Sequence, residues 1–471
     1  MKVPFVGSSY QMDALSFGVQ RSINMYPLIS ETANTKSVSA LRGCPGYVEF
    51  ADIGGGAIRG GISSTADRAF FVSGDEFYEV FADGTSTKHG DLNTQVGQVS
   101  MAENAFQVMV VDGSDGWIFT KATDTWTQIT DIDFPETSVV TYQDGYFIVV
   151  DDGTQDFYIS AINDGTSWDA LDFAAAESSP DNLISVLSDN GNLWLFGNRS
   201  IEVYQNTGAA SFPFERIAGA IIQTGCAGKF TPAKFDNSVV WLGVDEQGQG
   251  VVWRANGYSA QRISTQAIEK IINSAEDFSD SYSWVYHEQG HVFYCLQIRG
   301  LETTLVYDGA TREWHERMFK DPDTNTRQLH RGSCHVFFAQ KNLIGDRLTG
   351  KIYDLDLSYQ DDNGDEQIRE RICPHYQDEK RLISYSSFEL DMEVGVGLNS
   401  GQGSDPQIMM QYSDDGGRTW SSELWQSIGK QGEYRNRVVW RQLGRARDRV
   451  FKVRVSDPVF VQFNEAFVNA T

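Results

Sequence analysis

Ala69-Phe70-Phe71-Val72-Ser73-Gly74, then Glu76-Phe77-Tyr78-Glu79-Val80-Phe81, is an apolar run, a glycine turn and a second run. Two short β-rich runs joined by a tight turn read as paired strands. The unit returns at Ala105–Gly113 with Trp117-Ile118-Phe119. It returns again at Gly145–Asp151, Asn192–Gly197, Val239–Gly243, His291–Cys295 and Val336–Ala339. The spacing is roughly 38–52 residues, which is the period of a β-propeller blade. Runs such as Tyr146-Phe147-Ile148-Val149-Val150 are continuously apolar, so both faces of such a strand are expected to pack against neighbouring blades.

Around the repeats the chain divides into three. Residues 1–55 are expected as an N-terminal extended arm, 56–365 as a propeller of about six or seven blades, and 366–471 as a β-sandwich. The last assignment rests on Phe388, Leu390, Met392 and Val394 alternating with Glu389, Asp391 and Glu393. One helix is predicted, near 265–273: Thr265 can cap it, and Ile268, Ile271 and Ile272 share a face. The fold class is therefore all-β.

Length and composition agree with a folded chain. Its 471 residues are 41% hydrophobic and 12% aromatic, with 44 glycines against 11 prolines. The net charge of -26 disfavours bulk binding to nucleic acid. The five cysteines, Cys44, Cys226, Cys295, Cys334 and Cys373, are odd in number, widely spaced and free of any C-x-x-C. They predict neither a zinc site nor a disulfide framework, and point to folding in a reducing cytoplasm. No apolar run approaches membrane-spanning length, so neither a span nor a signal peptide is expected.

Catalytic signals are weak. There is no G-x-S-x-G, H-E-x-x-H or phosphate-binding loop. His287 and His291 flank a turn, and the spacing in Asp361–Glu366 fails the EF-hand pattern. No catalytic residue, cofactor or metal is expected. The sharpest local motif is Ser413-Asp414-Asp415-Gly416-Gly417-Arg418-Thr419-Trp420. It fits the Asp-box S-x-D-x-G-x-T-W, in which Ser413, Asp415, Gly417, Thr419 and Trp420 are expected to build a turn. Asp-boxes occur in sialidases, so a carbohydrate-active propeller, glycosidase or lectin, is the alternative reading.

Charge reverses near the C-terminus. Arg437, Arg441, Arg445, Arg447, Arg449, Lys452 and Arg454 lie in a stretch with few acids. By strand parity Arg445, Arg447 and Arg449 share a face, as do Lys452 and Arg454. Either this is a solvated strand face, or it docks an acidic partner or phosphate.

Several segments resemble the packaged-DNA stabilisation protein of short-tailed bacteriophages, the tail hub or nozzle. The strongest is Arg437-Val438-Val439-Trp440-Arg441-Gln442-Leu443-Gly444-Arg445-Ala446-Arg447, followed by Phe451-Lys452-Val453-Arg454-Val455. Further matches are Ser200–Tyr204 with Thr207-Gly208, Ala267–Ile271, Leu305–Asp308 before Trp314, Asn24–Pro27 and Leu41–Gly46. They are collinear from about residue 20 to 458. The resemblance implies a non-enzymatic virion protein, assembled in the host cytoplasm as a ring of six copies below the portal and adaptor ring. Such a hub closes or extends the DNA channel, retains the packaged genome, passes double-stranded DNA at ejection, and holds a needle or plug and tailspikes or fibres. It implies no small-molecule substrate.

Overall fold

A computed structural model describes residues 2–32, 34–65, 67–176 and 180–470. Six four-stranded sheets stand as separate blades. A seventh set of four strands, within Tyr282–Lys320, takes its place in the same circle but is also joined edge to edge to a larger sheet. The inner strands, in circular order, are Ile58–Ser64, Ser100–Glu103, Val140–Gln143, Leu183–Asp189, Ala233–Phe235, Tyr282–Glu288 and Gly332–Phe338. The last of these packs against the first, closing the circle.

The apolar runs behave as their composition requires. In Tyr146–Val150, Ile148 and Val150 join the core towards the next blade, while Phe147 and Val149 join the core towards the preceding one. Val108 and Val110 part from Met109 and Val111 in the same way. Each of these side chains is fully buried, contributing about 1.5–3 kcal/mol. The run at Val336–Ala339 is the exception in position. It belongs to an inner strand, whereas the others are second strands.

The same blade closes the circle. The final blade takes three strands from Gly332–Asp356, and its outermost strand is Gly46–Asp52, from within the segment expected as an extended arm. Gly46 is required there, because a Cβ would lie 2.2 Å from the carbonyl oxygen of Asp361. Beside it, Asp362 is 2% exposed and accepts a 2.8 Å hydrogen bond from Gln367 Nε2. Burial pushes its carboxyl up to about 7, with the Gln367 bond acting the other way. The folded chain thus holds a proton that the unfolded chain releases near pH 4. Stability should therefore fall by about 2–4 kcal/mol as pH rises from about 4 to 7, and level off above. Asp362→Asn should flatten that stretch of the melting-temperature profile; parallel profiles would show that Asp362 does not titrate there.

The helix is present at Gln266–Ile272, with Thr265 as its N-cap and Ile268 and Ile272 buried against Val252, Tyr294 and Trp314.

The rest of the N-terminal segment is woven into the C-terminal sandwich. Met25–Ile29, Ser39–Gly43 and Lys2–Val3 join Gln462–Ala470, Ile383–Met392 and Val438–Arg441 in one sheet. Val19–Ile23 inserts between Glu313–Lys320 of the propeller and Arg369–Ile372 of the sandwich. A twelve-stranded sheet thereby runs from blade to sandwich. Unpaired strand edges invite pairing, and here the N-terminal strands cover them. Ion pairs tie the junction: Arg21 grips the buried Glu316, and Glu370 receives both Arg327 and Arg454. Between the sandwich sheets lie Phe388 stacked on Phe451 at 4.5 Å, Trp440, Met410 and Phe463.

Candidate assembly surface and the propeller channel

The basic C-terminal residues divide into an outward and an inward set. Arg437 is exposed and forks onto Glu389 at 2.9 and 2.8 Å. Arg441, Arg445 and Arg447 are exposed, and Arg447 donates to the Lys380 carbonyl at 2.8 Å. Among the described residues these last three form no ion pair within the chain.

The inward set serves the fold. Arg449 is 1% exposed. Its guanidinium binds Asp414 through Nε (2.6 Å) and Nη2 (2.8 Å), donates to the Leu443 carbonyl, and lies 4.3 and 4.1 Å from the rings of Tyr385 and Tyr412. It is thus not on the face expected for it. Residues Arg445–Ala446 pair with Ile383–Ser384 in one sheet, whereas Asp448–Val455 pairs with Gln407–Ser413 in the other. Parity holds only within one strand, and the chain changes sheets at Arg447. Lys452 is half-buried, 4.3 Å over the Trp420 ring, and burial lowers its pKa. Arg454 is bound to Glu370 at 2.8 Å.

The Asp-box sits at the tip of the hairpin joining Gln407–Ser413 to Leu424–Ser427. Asp415 accepts from the amides of Arg418 (2.9 Å) and Thr419 (2.9 Å) and from the Thr419 hydroxyl (2.6 Å). Those bonds hold its carboxyl well below the usual range. Ser413 Oγ accepts from the Gly417 amide at 2.7 Å, and Gly417 takes a positive φ of 92°. The motif's polar atoms are therefore engaged by their own turn. Trp420 packs partly buried on Val19, Ile372 and Val450, which links the N-terminal strand to the sandwich. Trp420→Ala should cost about 2–3 kcal/mol, measured by urea denaturation; a loss below about 0.5 kcal/mol would leave the ring without a packing role.

The propeller's centre is a cavity of about 510 Å³ lined by residues from or adjoining all seven inner strands, among them Ile62, Met101, Tyr142, Val186, Phe230 and Cys334. Among the described residues no group of three or more His, Cys, Asp or Glu could hold a metal ion. His291 instead meets Asp308 at 2.7 Å. All five cysteines are free thiols, four of them buried, and among the described residues no helix is long and apolar enough to cross a membrane.

Comparison with known proteins accounts for both halves. The family described as Bacteriophage P22 Gp10, beta-propeller, matches residues 1–360, and Bacteriophage P22 Gp10, beta-sandwich, matches 368–471. The tail hub protein gp10 of Salmonella phage P22 is 24% identical over 447 residues, covering 92% of this chain and 91% of that protein. Among solved structures, the N-terminal domain of Nup159 matches with a TM-score of 0.43 and 8% identity, over 71% of this chain and 98% of its own. YCF48 bound to D1 peptide matches with a TM-score of 0.40 and 12% identity, over 66% and 99%.

Proposed function

Because the chain belongs to the bacteriophage P22 Gp10 family, and is thus a structural protein of a phage tail, we propose that it forms the tail hub. In this reading six copies form a ring below the portal and adaptor ring. The ring extends the DNA channel, retains the packaged genome with the help of a needle or plug, passes duplex DNA at ejection, and carries tailspikes or fibres. It is assembled in the host cytoplasm and performs no covalent chemistry. The observation that carries the reading is the match of both domains, in order, along nearly the whole chain.

The dimensions support one refinement. A duplex whose major groove alone is about 12 Å wide does not thread a cavity of only about 510 Å³. The DNA channel therefore runs between copies of the chain, past their outer surfaces, and the propeller is wall. A net charge of -26 suits such a wall, since like charge opposes adhesion of phosphate. Exposed Arg437, Arg441, Arg445 and Arg447 are the proposed docking positions for an acidic ring or neighbouring copy.

Native mass spectrometry and electron microscopy of the chain mixed with a portal–adaptor complex test the proposal. A six-membered ring on the adaptor is expected, and a chain that stays monomeric and unattached would overturn it. A fluorogenic glycoside panel and a glycan array should both stay silent.

A further inference from the structure

On the face where the chain enters each inner strand, the propeller channel opens into a cavity of about 1030 Å³. Arg59, Lys229, Arg299, Arg327 and Arg347 line it, against the carboxylates Asp112 and Asp280. Basic side chains outnumber acidic ones here, on a chain whose acids outnumber its bases 64 to 38. Low-dielectric walls focus such a field.

Among the described residues, two of the five cations form no ion pair with a carboxylate. Arg59 is 3% exposed and spends its donors on the carbonyls of Gly74, Thr94, Val96 and Gly97 and on the Thr94 hydroxyl, which hold its geometry without neutralising it. Among the described residues Arg347 donates only to Gln328 Oε1 (3.2 Å) and the Leu329 carbonyl (3.4 Å), and its buried Nε has no partner. Burial lowers the pKa of both guanidinium groups, as expected of cations short of counter-charge. The other three are only partly offset. Lys229 meets Asp152 at 3.2 Å, Arg299 meets Asp280 at 2.9 Å, and Arg327 shares Glu370 with Arg454.

We propose that this mouth is a binding site for an extended acidic peptide segment of a partner protein, its carboxylates facing Arg347 and Arg299 within the positive field of the buried Arg59. The rest of the lining favours peptide over nucleic acid. Ile58, Phe230, Leu301 and Leu329 give apolar wall between the charges, and Val96 stands 82% exposed at the rim. A long polyanion would have to cross the surrounding negative surface, whereas a short segment with two or three carboxylates lies within the local positive field. The proposal does not rest on the docking role of the basic sandwich hairpin.

Fluorescence anisotropy of labelled hexaglutamate with the full chain at low salt tests this, with an oligothymidylate of equal charge and inorganic phosphate as competitors. Saturable one-to-one binding is expected, weakened at least about tenfold by Arg347→Gln and also by the surface variant Arg299→Gln. Arg312→Gln, in a turn on the opposite face, should leave it unchanged. Failure to saturate at millimolar peptide, equal binding by wild type and both mouth variants, or tighter binding of the oligothymidylate would each overturn the proposal. Because Arg299 is exposed, its variant keeps the test decisive even if Arg347→Gln does not fold.

Discussion

Arg371→Met should lower the stability of the chain by about 3–5 kcal/mol and free its first twenty or so residues for proteolysis. Arg371 has no solvent exposure. Its guanidinium donates to the carbonyls of Phe5 (2.7 Å), Gly7 (3.1 Å) and Ser8 (3.1 Å), to Ser22 Oγ (2.9 Å) and to Gln20 Oε1 (3.0 Å). Burial holds its pKa down to about 10, so it is still charged at neutral pH. Two effects oppose each other in the variant. Methionine relieves the cost of a buried, carboxylate-free cation, but leaves several buried oxygens without donors, at about 1–3 kcal/mol for each that water cannot reach. Since one side chain serves six acceptors, counting the Arg21 carbonyl, of which those on Phe5 and Ser22 are fully buried, the second effect wins. Urea denaturation and limited proteolysis would measure the two parts. A variant as stable as wild type, with an equally protected N-terminus, would show that the paired strands suffice without the arginine.

That arginine also marks what was hidden in the sequence. The propeller was readable because a second strand buried on both faces must be apolar throughout, and such runs repeat. The sandwich was readable because Phe388, Leu390 and Met392 alternate with acids over one long strand, the apolar residues being buried and Glu389 and Asp391 only partly so. The path of the N-terminal segment was not. Strand pairing between residues more than 300 positions apart, as between Ser22 and Arg371, leaves no local periodicity. The strands involved are short and are stabilised by side chains such as Arg371 and Asn24 that look polar and exposable. Asn24 is in fact buried, donating to the carbonyls of Met318 and Ile368. Nor does the cationic propeller mouth show in the sequence, since Arg59, Lys229, Arg299, Arg327 and Arg347 are scattered along the chain, only Arg299 and Arg327 sharing a blade, and meet only when the circle closes.

The basic hairpin is a case where composition was legible and direction was not, and it yields the sharpest test of assembly. Replacing Arg441, Arg445 and Arg447 together with glutamate should weaken ring formation or docking by at least about a hundredfold, or roughly 2.7 kcal/mol. The melting temperature should barely move, because all three are exposed and unpaired within the chain among the described residues, where surface substitutions are usually worth about 0.5 kcal/mol or less. Arg449→Met should do the reverse. Its loss leaves the Leu443 carbonyl without its donor and opens the space between Tyr385 and Tyr412, while the exposed Asp414 turns to solvent, so the fold should weaken by about 1–3 kcal/mol, with assembly affected only through folding. The two variants differ by a few residues in sequence yet should separate cleanly, by sedimentation with the adaptor complex on one axis and thermal denaturation on the other. Charge also predicts the salt response: if the three arginines meet acidic groups at the edge of an interface, wild-type assembly should weaken as salt rises, and the triple variant should have lost most of that dependence. Assembly of the triple glutamate variant at wild-type strength in physiological salt would assign these arginines to solvent, and the docking surface would have to be sought elsewhere on the sandwich.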